Sequence, residues 1–261
     1  MMLVEAPYTT LLGHGLGMVA ETRSLLELWT VGIQVSELYE LALASGRFSQ
    51  VSARRLKNIV KDCFAPRYMV DSGRPARILQ LLSPVLTNRE FDQLLFVYIC
   101  RANPIVGDFV RKVYWGAYQS GRDVVTNEDA RLFVQSAVSG GLTSKIWPET
   151  TTRRVASYLT GCCGDFGLLE AGAKSSRRIL PFSIQPRTLI VLAYDLHFSG
   201  LGDNQVLASE DWHLFGLERD DVLSELKRQA LQSKVIVQSA GAITKISWLC
   251  KSVEEISDVV A

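Results

Sequence analysis

The chain has 261 residues, 48% of them hydrophobic and 21% charged, which is a globular mixture and not a disordered one. Lysine and arginine number 28 against 27 acids, so the formal charge is +1 and no overall field marks a nucleic-acid binder. Five scattered cysteines without a C-x-x-C spacing exclude a disulfide scaffold and a zinc knuckle and point to a reduced, cytosolic setting.

The longest run free of Asp, Glu, Lys and Arg is Ala6 to Ala20, fifteen residues. A spanning helix needs about 20 apolar residues, and the basic start of a signal peptide is missing. No membrane role is expected. In chain order, Leu16 to Trp29 carries Val19, Leu26 and Trp29 at helical spacing. Ser36 is read as the cap of a second helix through Ala44, with Val35, Leu38 and Leu41 recurring every three residues. Ser52 caps a third, which Pro66 is expected to end near Phe64. Three short helices with a tight turn before the last match a helix-turn-helix core.

Thr87 with Glu90 opens the next helix, striped by Phe91, Leu94, Leu95 and Tyr98. After Asn103-Pro104 a second stripe, Ile105, Phe109, Val113 and Tyr114, continues towards Gly121; the two predict a helical hairpin. Thr126 with Asp129 forms a capping box for a helix through Val138, and Gly140-Gly141 ends it. Pro148-Glu149-Thr150 opens a helix whose Val155, Leu159, Cys162, Phe166 and Leu169 face a core. Leu168 to Pro181 then reads as a hairpin with a basic tip. Helix, helix and hairpin is the order of a winged helix. Leu189 to Phe198 predicts a buried helix and Asp220 to Leu231 an amphipathic one. Lys234–Gln238 and Ala242–Trp248 predict a second hairpin around Ala240-Gly241, and Glu254 to Val260 a closing helix. The expected fold class is mainly α with small β-hairpins, in four units: 1–72, 73–121, 122–185 and 186–261.

Enzyme signatures are missing. There is no P-loop, no G-x-S-x-G elbow and no paired-histidine motif, and Gly13-His14-Gly15-Leu16-Gly17 lacks a preceding strand. No catalytic residue, cofactor, metal or small-molecule substrate is expected. Charge distribution carries the signal instead. From Arg47 to Arg77 eight basic residues face two acids, a local excess of six. Arg54, Lys57 and Lys61 fall within a helical sector about 60° wide, with Arg55 beside them. A second basic surface comprises Arg153 and Arg154 on the helix after Pro148, with Lys174, Arg177 and Arg178 on the hairpin. Such cations suit phosphates. Glu210, Asp211, Glu218, Asp220, Asp221 and Glu225 make the C-terminal part a protein-contact surface at most. Each of the five tryptophans is read as a core or junction residue and not as a base-stacking platform.

Several motifs carry a family resemblance: Glu21–Trp29; Gln93–Phe96 through Arg101–Pro104 to Asp108–Val110 and Val113–Trp115; Thr152–Ala156 with Asp165–Leu169; and Trp212–Phe215 with Ala240-Gly241 and Trp248. Together they resemble the BrxA family over about residues 9 to 258. The resemblance implies a cytoplasmic, non-enzymatic accessory protein of BREX, a bacterial anti-phage defence system. It brings no catalytic residues. The expected partners are double-stranded DNA, held largely without sequence specificity, and other BREX subunits. Two alternatives are a protein-docking role within the defence complex and RNA binding, by analogy with the antitermination factor NusB.

Overall fold

Glycines, prolines and capping side chains cut the chain into short helices. The computed structural model, which describes residues 8–15, 17–143, 145–172, 174–240 and 243–260, is mainly helical. It divides into two units, each drawn from two stretches of chain: Met1–Ser72 with Tyr98–Phe182, and Gly73–Val97 with Ser183–Ala261.

In the first unit, α1 (Val19–Leu28) buries Thr22, Leu25 and Leu26. Helix α2 (Val35–Ala44) begins two residues earlier than the serine cap predicts: the Gln34 amide donates to Glu37 Oε2 at 2.9 Å, and Ser36 already lies inside the helix. A three-residue repeat lags behind the 3.6-residue turn, so Leu38 is buried while Leu41 drifts out to solvent. Helix α3 (Ala53–Asn58) has the expected cap, with the Arg55 amide donating to Ser52 Oγ at 3.3 Å.

The predicted stop at Pro66 is not observed. A π-helical stretch (Ile59–Phe64) leads into α4 (Ala65–Tyr68), so the helical run passes through the proline. Proline has no N–H and its ring crowds the carbonyl four residues back. Just ahead of it the Ala65 amide reaches past that carbonyl to Val60, widening the turn.

α5 (Arg74–Leu82) belongs to the second unit, and the division between the units falls inside α6 (Asn88–Ala102). The Thr87–Glu90 capping box is formed, with bonds of 2.7 and 3.3 Å. Back in the first unit come α7 (Pro104–Phe109), a second π-helical stretch (Val110–Tyr114) and α8 (Trp115–Gln119). Next is β1 (Val124–Thr126), and α9 (Asn127–Ser139) follows from the Thr126–Asp129 capping box, with bonds of 3.0 and 2.7 Å. Helix α10 (Glu149–Asp165) turns Val155, Leu159, Cys162 and Cys163 inward. The predicted hairpin is present: Leu169 bridges Ile179 antiparallel, and the Leu180 amide donates to the Leu168 carbonyl at 2.9 Å. Its second arm, β2 (Ser176–Arg178), also pairs antiparallel with β1, a partner that the sequence does not announce.

In the second unit α11 (Pro186–Phe198) buries residues all round. It is followed by α12 (Asp203–Leu207), α13 (Arg219–Ala230), the antiparallel hairpin of β3 (Ile236–Ala240) and β4 (Ile243–Ser247), and α14 (Ile256–Val260). The hairpin's Gly241-Ala242 turn lies outside the described residues. Asp203 holds β4 by accepting from the Ile246 amide at 2.9 Å and Trp248 Nε1 at 3.1 Å.

The expected unit 73–121 is thus shared between two bodies. Its first limb is bound to its own unit by Gln93, which donates to the Ser183 carbonyl at 2.8 Å and accepts from the Gln185 amide at 2.9 Å. The second limb is bound to the other through the Tyr114 hydroxyl, which donates to the Leu180 carbonyl at 2.6 Å. Among the described residues, no helix is long and apolar enough to cross a membrane.

Asp195 is buried and receives the Arg74 Nε–H at 3.1 Å. Breaking a buried pair leaves its partner's charge poorly solvated. Asp195→Ala is therefore expected to cost about 3 kcal/mol in urea unfolding; a loss under about 1 kcal/mol would mean that solvent screens the pair.

Candidate nucleic-acid interface

The first basic cluster is exposed as the sequence suggests. Arg54, Lys57 and Lys61 all reach solvent on the run that begins with α3. Among the described residues none of the three has an ion-pair partner. Arg55 is exposed but turns towards the N-terminal segment, where a Cβ on Gly15 would stand 3.4 Å from its Nη2. Lys57 and Lys61 lie on one wall of a groove of about 510 Å³, opposite the first turns of α2.

Two members of the second cluster are neutralised. Arg153 Nε lies 2.9 Å from Glu149 Oε1, one helical turn away, and Lys174 lies 3.0 Å from Glu170. Arg131, which the sequence reading passed over, pairs with Glu128 at 2.5 Å and Glu149 at 3.6 Å. Acids and bases three or four residues apart on a helix face give that signal in sequence. Arg154 and Arg178 are exposed, with no ion-pair partner among the described residues.

Arg177 corrects the expectation. It is 8% exposed and sits on β2, not at a hairpin tip. Strand side chains alternate, so Ser176 and Arg178 face out and Arg177 faces in. Its Nη1 donates to the Glu170 carbonyl at 3.1 Å, and it packs so tightly on Gly164 that a Cβ there would meet it at 2.9 Å. The guanidinium stands over the C-terminal end of α10, where a cation complements the helix dipole. Arg177 therefore cannot serve as a phosphate contact.

The remaining chemistry is quiet. Burial pushes the Cys162 thiol up to about 12 and raises Cys163 as well, so both stay protonated. The glycine-rich segment near residue 15 is packed and not open: a Cβ on Gly17 would strike Asp165 at 2.5 Å, and the buried Arg67 donates to the Gly15 carbonyl. His14's side chain and Leu16 lie outside the described residues. Trp29, Trp115, Trp147 and Trp212 are buried, and Trp248 stacks on His197 at 4.5 Å.

These features define a mainly helical protein in which Arg54, Lys57 and Lys61 stand exposed without ion-pair partners among the described residues. The chain belongs to the BrxA family, whose sequence profile matches residues 6–194, and so is a BREX-associated protein. Among curated proteins none matches it in sequence. A crystal structure of an uncharacterized protein from Magnetospirillum magneticum shares the fold with a TM-score of 0.61 at 12% identity, over 80% of this chain and 98% of that one.

Arg177→Ala is expected to lower stability by about 2 kcal/mol, through the lost hydrogen bond and stem packing. Arg178→Ala should stay within about 0.5 kcal/mol. Equal thermal unfolding of the two variants would contradict the inward placement. A pH effect follows from Asp129. Burial works against its charge, but hydrogen bonds from Arg122 and Thr126 outweigh burial and hold the carboxyl below the usual range. A depressed native pKa gives stability that is present above the unfolded value and lost as pH falls through the native one. Acid unfolding below about pH 4 should be shallower in Asp129→Asn, and an unchanged acid limb would show that this box does not contribute.

Proposed function

We propose that this protein is a non-enzymatic accessory subunit of a BREX defence system that binds double-stranded DNA through its phosphates, with little readout of base sequence. The observation that carries the reading is the trio Arg54, Lys57 and Lys61: exposed cations on one helical run without acid partners among the described residues. Cations already paired within the protein must give up a partner to meet a phosphate, whereas these need not. Arg154 and Arg178 offer the same chemistry elsewhere in that unit.

The chain order supports reading residues 122–185 as a winged-helix-like unit. β1 is followed by α9 and α10, then two antiparallel arms, with β1 paired to the second arm. Helices α1 to α3 supply the helix-turn-helix element. Such a subunit would work in the cytoplasm without cofactor, metal or small-molecule substrate. A second reading, docking onto other subunits of the system, is favoured by Leu231 at 87% exposure and Ile236 at 50%, on the unit that also exposes Asp220 and Asp221.

Salt separates the two readings. Each phosphate contact contributes roughly 0.9 to the slope of log K against log salt. Changing Arg54, Lys57 and Lys61 together to Ala should weaken binding to two unrelated duplexes about equally and flatten the slope by up to about 3. Unchanged affinity and slope would favour docking.

A further inference from the structure

The groove beside the basic face has a chemistry that duplex binding leaves unused. On one wall stand Lys57 and Lys61; on the other, Gln34, Ser36, Tyr39 and Glu40 from the start of α2. Val60, fully buried, lies between the walls. Tyr39 is half-buried, and its hydroxyl has no hydrogen-bond partner among the described residues. Lys57, Lys61 and Glu40 have no ion-pair partner among them either. Four polar groups without partners and one aromatic ring therefore converge on a single concavity. Its volume of about 510 Å³ falls within the range that holds a small organic ligand, roughly 300–1,000 Å³.

The two walls call for different parts of one ligand. Two ammonium groups a helical turn apart hold a phosphate. Opposite them stand the Tyr39 ring, which can stack on a base, and the Glu40 carboxylate, which can accept from a planar, hydrogen-bonding edge; the Gln34 side-chain amide is already engaged with the Gly32 carbonyl at 3.3 Å. A bare phosphate would use only the lysines and would meet Glu40 unfavourably. A paired base cannot use the ring, because its faces are covered by its neighbours in the stack; an unpaired base can. Both walls are satisfied together by a phosphate joined to a heteroaromatic base.

We propose that this groove is a single-nucleotide site, which takes one unpaired nucleotide of a strand whose backbone lies along α3. The base rests on Tyr39 and its phosphate on Lys57 and Lys61. The inference rests on the phosphate-binding reading of that helix and adds a preference to it. The protein should favour nucleic acid with an extrahelical or frayed nucleotide over a fully paired duplex.

Three probes test it on the full chain by fluorescence anisotropy and emission: a paired duplex, the same duplex with one extrahelical 2-aminopurine, and a single-stranded trinucleotide centred on 2-aminopurine. The extrahelical duplex should bind about tenfold more tightly than the paired one, and 2-aminopurine emission should fall on binding in both probes that carry it. Tyr39→Ala should remove the preference and the quenching while leaving paired-duplex affinity in place, and Tyr39→Phe should keep all three. The wild-type emission change reads the site even if Tyr39→Ala fails to fold. Equal affinity for the two duplexes with unchanged emission overturns the site and spares the duplex reading. Quenching of the trinucleotide without paired-duplex binding does the reverse.

Discussion

Three residues of strand, Val124–Thr126, pair with Ser176–Arg178 some fifty positions later, and this pairing governs which of Arg177 and Arg178 reaches solvent. Without β1 the second hairpin arm would be an edge, free to twist or slip. With β1 in place its register is set, Val125 against Arg177 and Val124 against Arg178. A one-residue slip would exchange the two arginines, exposing the one that now rests on Gly164 and burying the one that now faces water. The same strand leads into the Thr126 capping box, so the start of α9 and the base of the hairpin share one anchor.

Local pairing then decides what the exposed charges can do. Arg131, Arg153 and Lys174 are as cationic as Lys57, yet each lies within 3.0 Å of a glutamate oxygen. Surface pairs of this kind contribute only about 0–1 kcal/mol to stability, but they cancel much of the field that an approaching phosphate would feel within one Debye length, about 8 Å at physiological salt. A charge count along the sequence treats both clusters alike. The partners on the protein do not. This is why Arg54, Lys57 and Lys61, without ion-pair partners among the described residues, stand out in a molecule whose formal charge is only +1.

What could be read in advance follows from the range of the forces involved. The boxes at Thr87 and Thr126 and the cap at Ser52 are contacts across three residues, and all formed where the residue types predict. The buried stripe of α10 and the hairpin arms at Leu169 and Ile179 are local too. Other features were not legible. The Gln34 start competes with Ser36 on equal local terms. The split of 73–121 depends on Gln93 and Tyr114 finding acceptors 90 and 66 residues away. Arg177 is turned inward by a strand pairing that no periodicity reveals. The groove partners Tyr39 and Lys57 sit on different helices, and only their packing makes them neighbours.

Two π-helical stretches tie these elements together. Wide turns carry poorer hydrogen bonds than an α-helix and recur where function or strain calls for them. The one at Ile59–Phe64 lets the run pass Pro66 and continue to Arg67 and Tyr68, both buried. Arg67 fastens the Gly15 carbonyl, so the helix that presents Lys57 and Lys61 is pinned at its far end by the N-terminal segment. The one at Val110–Tyr114 ends on the residue whose hydroxyl holds Leu180 at the base of the hairpin. Burial raises that phenol's pKa, so it stays protonated and keeps donating. In each case the distorted turn leads to a single polar side chain that fixes a separate segment beside a basic surface. An arginine or tyrosine at the end of a strained turn thereby does what a larger core would otherwise do: it gives a thin, charged face a fixed shape, so that cations without partners inside the protein meet their ligand already in position.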